Sequence, residues 1–155
     1  PHKLALIEKG AARLGIRSIR TALADGREHH AAWENAADLV VADVPCSGLG
    51  IIRKKPEIRF KNPDEIQTLP EIQARILANC AQYVKKGGTL VYSTCTILQR
   101  ENEDVVRAFL TENPEFEAVS WTHPVCGERA DGMVTLLPPV HNTDGFFIAK
   151  MHRKV

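Results

Sequence analysis

Two cysteines sit where a sheet would present them to a ligand. Val40-Val41-Ala42-Asp43-Val44-Pro45-Cys46-Ser47-Gly48-Leu49-Gly50 begins as an apolar run and breaks into an acid, a proline, a thiol and two glycines. Its first half reads as a buried strand and its second as a loop at the strand's C-terminal end. Thr89-Leu90-Val91-Tyr92-Ser93-Thr94-Cys95-Thr96 has the same layout, a β-rich run that delivers a cysteine at its far end. Ligands of open α/β sheets bind outside the carboxyl ends of the strands. Two such strands in one sheet make a two-thiol site with Asp43 beside it. The four cysteines, at 46, 80, 95 and 126, include no CxxC pair and no zinc-ligand spacing. Metal and disulfide chemistry are therefore disfavoured, and free thiols in a reducing compartment are expected. Cys80 falls on the apolar side of a helix and Cys126 in a loop. A thiol hydrolase or redox protein would need a histidine or CxxC partner near Cys46 or Cys95, and none is near in sequence.

Asp25 is a further candidate. Residues 16–23 alternate well enough for a strand, and Ala24-Asp25-Gly26-Arg27 turns the chain where its C-terminal end should be. An acid there can accept hydrogen bonds from the amino group or ribose of a cofactor, or can simply belong to an Asp-Gly turn. The segment Ile51-Ile52-Arg53-Lys54-Lys55-Pro56-Glu57-Ile58-Arg59-Phe60-Lys61 gathers basic side chains around one aromatic, and Pro56 keeps it from being a simple helix. It reads either as a solvated loop or as an arm contacting phosphates, with the aromatic able to stack on a base.

The elements that must hold these groups follow in order. Leu4, Ile7, Ala11 and Leu14 share a helical face, with Gly15 as the cap. A short helix is expected over 29–35 with Trp33 packed inward, then the strand 38–43. Asn62 and Thr68 start helices, the second with a Thr68/Glu71 capping box. Ile72, Ile76, Leu77, Cys80 and Val84 follow at helical spacing, and Lys85-Lys86-Gly87-Gly88 reads as that helix's end. A helix over 100–112 stops at Pro114. The spacing predicts a strand over 116–121, a long loop over 122–143 and a last strand after Asp144-Gly145.

The 155 residues suit one domain, and 44% hydrophobic with 25% charged residues is ordinary globular composition. No apolar run approaches a membrane-spanning length, and Pro1-His2-Lys3-Leu4 carries no signal region, so a cytoplasmic protein is expected. The net charge of +1 exerts no global pull on nucleic acid, so any basic patch is local.

Asp43-Val44-Pro45-Cys46-Ser47-Gly48, Ser93-Thr94-Cys95-Thr96, Glu101-Asn102-Glu103 and Asp144-Gly145-Phe146-Phe147 occur in an order and spacing that resembles the RNA cytosine-5 methyltransferases. With Ile52-Arg53-Lys54-Lys55-Pro56-Glu57-Ile58, the chain is most similar to the Sun or RsmB branch, which acts on small-subunit ribosomal RNA. The resemblance implies an α/β, Rossmann-like class I fold that uses S-adenosylmethionine, with residues 1–155 as part of the catalytic domain. Alternating helices and strands argue for a parallel sheet, and the two final strands for an antiparallel hairpin at one edge. No G-x-G-x-x-G follows any strand.

By the same resemblance, Cys95 attacks carbon 6 of cytosine, Cys46 assists release of the methylated base, and Asp43 contacts the base near N3 and the cofactor. Asp25 would contact the cofactor's adenosine part, and Arg53, Lys54, Lys55 and Arg59 the RNA. A Pro-Cys dipeptide is also the nucleophile motif of DNA cytosine-5 methyltransferases, so Cys46 as attacker is a rival. The family's glycine-rich cofactor loop and the first two strands of its sheet should precede His2 and are absent. The fragment is therefore expected to be inactive alone, with weak cofactor binding and a sheet gap that invites self-association. A non-catalytic RNA-binding fragment is the alternative.

Overall fold

A computed structural model describes residues 2–124, 127 and 129–155. Helix α1, His2–Arg13, is closed by Gly15 at φ 69°, with Gly15 N–H on Ala12 O and Ile16 N–H on Ala11 O. This pairing is a Schellman cap, and it needs the positive φ that glycine supplies. Strand β1 is Ala37–Asp43, and two short 3-10 turns, Leu49–Ile51 and Pro56–Phe60, carry the basic arm. Helices α2, Pro63–Gln67, and α3, Leu69–Tyr83, lead into β2, Val84–Thr94. Then come α4, Glu103–Glu112, the short strands β3, Phe116–Ala118, β4, Ser120–Thr122, β5, Arg129–Asp131, and β6, Met133–Leu136, helix α5, Pro138–His141, and β7, Phe146–Arg153.

The main sheet runs β1-β2-β7-β3, with β6 pairing along β7. Only β1 and β2 are parallel; the other pairs in that sheet are antiparallel, which narrows the expected parallel sheet to its first two strands. One face carries Ala42, Leu90, Tyr92, Phe147, Ala149 and Met151 into a core closed by Leu77 of α3 and Val105, Val106 and Phe109 of α4. The period-2 alternation of β2 and β7 and the apolar stripes of both helices meet there. Tyr92 and Phe147 pack edge to face at 6.1 Å, an arrangement favourable beyond its buried area.

Several expectations are corrected. Residues 16–23 form no strand: a strand exists by pairing, and β1 stands at the sheet edge with no neighbour on its outer side among the described residues. Ile16, Ile19 and Leu23 are exposed, as are Leu39 and Val41 on the uncovered face of β1. The expected helix at 29–35 is one 3-10 turn, Ala31–Trp33, with Trp33 39% exposed and its ring tilted against His30 at 4.5 Å. Thr68 makes no capping box, because it stays helical as the C-cap of α2 and donates its hydroxyl to Glu65 O. Helix α3 ends at Tyr83, and Lys85 and Lys86 already lie in β2. The expected strand at 116–121 divides between two sheets, and the expected long loop holds β5, β6 and α5. Cys126 lies outside the described residues. No helix among them is long and apolar enough to cross a membrane.

Candidate active site

The register of β1 against β2 builds the site. Asp43 pairs with Ser93, so the chain leaves both strands at the same end of the sheet, just before Cys46 and just before Cys95. The two sulfurs lie 3.2 Å apart, and Cys95 N–H donates to Cys46 Sγ at 3.3 Å. Burial, and then the hydrogen bond to Cys95, push the Cys46 thiol up to about 12. At neutral pH Cys46 is therefore S–H, able to donate to the neighbouring sulfur. The Asp43 carboxylate is exposed at the end of β1 and accepts from Ser93 Oγ at 3.1 Å.

Both loops are held from behind. Ser47 N–H donates to Glu101 Oε2 at 2.9 Å, and Ser47 Oγ meets Thr96 Oγ1 at 2.7 Å. Thr94 Oγ1 bonds Asn102 Oδ1 at 2.6 Å, while Asn102 Nδ2 donates to Thr96 O at 3.0 Å. A third segment closes the clasp. Gly50 N–H donates to Cys95 O at 3.0 Å and Gly145 N–H to Gly50 O at 2.8 Å. A Cβ on Gly50 would lie 2.1 Å from Gly145 O, so the approach requires glycine.

The sulfurs open on a cleft of about 340 Å³ whose wall includes Lys55, Glu57, Ile58 and Lys61. Lys61 Nζ donates to Ser47 O at 2.8 Å. The basic arm is divided. Arg53 and Lys54 converge on the buried carboxylate of Asp144, Arg53 at 3.2 Å, and hold that carboxyl below the usual range, the Lys54 hydrogen bond contributing most. Arg59 lies over Phe60, 5.8 Å from the ring centroid, and Phe60 is 83% exposed. Lys55 and Lys61 thus face the thiol cleft, and Arg53 and Lys54 face Asp144.

Asp25 stands apart from the thiols. It makes a bidentate pair with Arg27, which holds its carboxyl well below the usual range. It lines a separate cavity of about 650 Å³ with Arg27, His30, Ile72 and Ile76, and Pro45 of the cysteine loop closes one wall. Asn79 Nδ2 docks this turn onto α3 through Gly26 O and Glu28 O, both at 2.8 Å.

The family profile described as "16S rRNA methyltransferase RsmB/F" matches residues 1–152. The chain belongs to that family. It is 43% identical to the "Probable ribosomal RNA small subunit methyltransferase B" of Bacillus subtilis, over 99% of this chain and 36% of the relative. Against the "Ribosomal RNA small subunit methyltransferase F" of Shewanella amazonensis, identity is 35% over 91% of this chain and 32% of the relative. The crystal structure of PH0851 superposes with a TM-score of 0.89 at 34% identity, covering 97% of this chain and 34% of that one. The chain thus spans about a third of the length of these relatives, and its fold is that of the class I methyltransferases.

Within this RsmB/F chain, Cys46 and Cys95 meet at the strand ends, while Asp43 is exposed, bonded to Ser93 and outside the residues that line the thiol cleft. Gln73 is the contributor that sequence reasoning passes over. Gln73 is fully buried and donates to Pro45 O at 3.0 Å and to Glu101 Oε2 at 2.9 Å. The one signal available was a polar residue on the apolar stripe of α3.

Proposed function

We propose that this chain supplies the chemical half of an enzyme that methylates carbon 5 of a cytosine in small-subunit ribosomal RNA through a covalent cysteine adduct. The observation that carries this reading is the 3.2 Å contact between Cys46 and Cys95 at the C-terminal ends of two parallel strands. The substrate class rests on family membership.

Carbon 5 of cytosine is a poor nucleophile. Addition of the Cys95 sulfur to carbon 6 places electron density on carbon 5, which then takes a methyl group; loss of the carbon 5 proton and cleavage of the C–S bond return the thiolate. Cys46, protonated and in contact with the Cys95 sulfur, is placed to donate a hydrogen bond to that sulfur as it leaves. Asp43, exposed at the end of β1, is the group for the base near N3. Lys55 and Lys61 flank the entrance with positive charge, suited to the phosphates of a strand whose target base has left its stack.

S-adenosylmethionine would supply the methyl group as an electrophile. The Asp25 cavity fits a nucleoside: Pro45, Ile72 and Ile76 form apolar walls, Asp25 offers an acceptor, and the buried Nε2 of His30 has no hydrogen-bond partner. Asp25 must release Arg27 to serve there.

The direct test is methyl transfer from labelled cofactor to 16S ribosomal RNA by the full-length enzyme, with the modified base mapped. Label in 5-methylcytosine is expected. RNA binding without transfer would support the non-catalytic alternative, and label on another base or on ribose would contradict the reaction.

A further inference from the structure

Glu101 and Asn102 are adjacent and wholly buried, and each serves a different cysteine loop. Glu101 Oε2 accepts from Ser47 N–H and from Gln73 Nε2, which also donates to Pro45 O, so both neighbours of Cys46 are tied to one carboxylate. The Asn102 amide bonds Thr94 and Thr96, both neighbours of Cys95. Glu101 takes part in none of the ion pairs among the described residues, and its Oε1 is buried with no hydrogen-bond partner. A buried polar group with one oxygen unpartnered destabilises a fold, and an apolar side chain would fill the space at lower cost. Local violations of this kind belong at functional sites.

We propose that Glu101 and Asn102 are positioning residues that together set the contact between the Cys46 and Cys95 sulfurs, Glu101 through Pro45 and Ser47 and Asn102 through Thr94 and Thr96. Neither touches the substrate. The catalytic consequence rests on the two-thiol reading above. Without Glu101, Cys46 drifts from the sulfur whose departure it assists, so release slows while addition persists. Without Asn102, Cys95 itself drifts and addition slows.

The first test uses the 155-residue chain and needs no RNA. Diamide oxidises a thiol pair in a balanced step: one thiolate adds to its N=N bond, the second sulfur displaces the nitrogen, and the hydrazine departs with two electrons and two protons. The rate of Cys46–Cys95 disulfide formation, followed by peptide mass spectrometry, reports the sulfur contact. Iodoacetamide alkylation of Cys80, half-buried against the core, reports loosening of the whole fold. Glu101→Ala and Asn102→Ala are each expected to slow disulfide formation roughly tenfold or more, with Cys80 alkylation within about twofold of the parent chain. Glu101→Gln keeps an acceptor for Ser47 N–H and should stay near the parent rate.

An unchanged disulfide rate in either alanine variant overturns the proposal. So does Cys80 alkylation that rises by the factor lost in oxidation, which would make the role merely structural, or Glu101→Gln behaving as Glu101→Ala. In the full-length enzyme, Glu101→Ala should accumulate RNA adduct and Asn102→Ala should form less of it. No adduct in any form, with the oxidation pattern as expected, would sink the methyl-transfer reading and leave the positioning role standing.

Discussion

Around Cys46 and Cys95, three chain segments interlock through buried hydrogen bonds and glycine contacts, with Ser47, Thr94, Thr96, Glu101 and Asn102 each buried. Around Asp25, residues 16–28 lie in no strand or helix, their large apolar side chains are exposed, and the acid is bonded to its neighbour Arg27. The first region holds the two sulfurs through side chains that are buried and hydrogen-bonded to one another. The second is fastened to α3 through Asn79 and Tyr83 and to α1 through Thr21 and Ile16, and leaves its large apolar side chains at the surface. The sulfur pair is thus fixed by its surroundings, whereas the Asp25 carboxylate is held by a neighbour in its own turn.

Paired substitutions sharpen this contrast, beginning with the largest effect. Leu77 is fully buried under the sheet and Leu23 is 69% exposed. Leu77→Ala should destabilise the chain by about 2–5 kcal/mol in urea unfolding. Leu23→Ala should change it by under about 0.5 kcal/mol. Similar losses for the two would mean that 16–28 packs as firmly as the core.

The two glycines come next. Gly50→Ala drives a Cβ into the backbone of Gly145 and should cost about 1–3 kcal/mol while separating the cysteine loops. At Gly26 the nearest atom to a Cβ is the Ile76 side chain at 3.4 Å, and Gly26→Ala should stay within about 0.5 kcal/mol.

The two acids separate by pH. Lys54 and Arg53 depress the Asp144 carboxyl in the folded chain relative to about 3.9 when unfolded. Its contribution is therefore complete above the unfolded value and lost as pH falls through the folded one. Asp144→Asn should lower the melting temperature at neutral pH and flatten the acid limb of the stability curve. Arg27 depresses Asp25 with the same sign, but side-chain exposures of 44% and 37% let solvent screen that pair, so Asp25→Asn should shift the curve less.

The smallest effect concerns RNA. Replacing Lys55 and Lys61 with alanine in the full-length enzyme should weaken binding and reduce the salt slope by about 1.4, near 0.7 for each lost single-strand phosphate contact. Replacing Arg53 and Lys54 should change it less, because both are held by Asp144. The reverse order in a fluorescence titration across salt would assign the RNA to the Asp144 side.

Legibility in the sequence follows the same contrast. The strand ends at Cys46 and Cys95 are readable because each apolar, β-rich run gives way to a cluster of polar or turn-forming residues. The stripe Val105, Val106 and Phe109 of α4 is readable because 3.6-residue periodicity maps directly onto burial. The absence of a strand at 16–23 is not, since local alternation carries no information about whether a neighbour exists to pair with. Strands β5 and β6 escape because each is only a few residues long and they meet at Gly132, whose φ of 86° turns the chain against Ala118. Lys61 and Gln73 reach the site through long side chains from elements whose orientation only packing decides. The division of the basic arm between Asp144 and the thiol cleft is likewise a product of tertiary contact over distant residues.

The roles of the two thiols bear the whole account, and one measurement addresses them: covalent RNA adducts resolved by denaturing gel for Cys46→Ala and Cys95→Ala in the full-length enzyme. Cys46→Ala should trap an adduct that persists, and Cys95→Ala should form none. An adduct that persists in Cys95→Ala and is missing in Cys46→Ala would exchange the two roles and contradict the assignment.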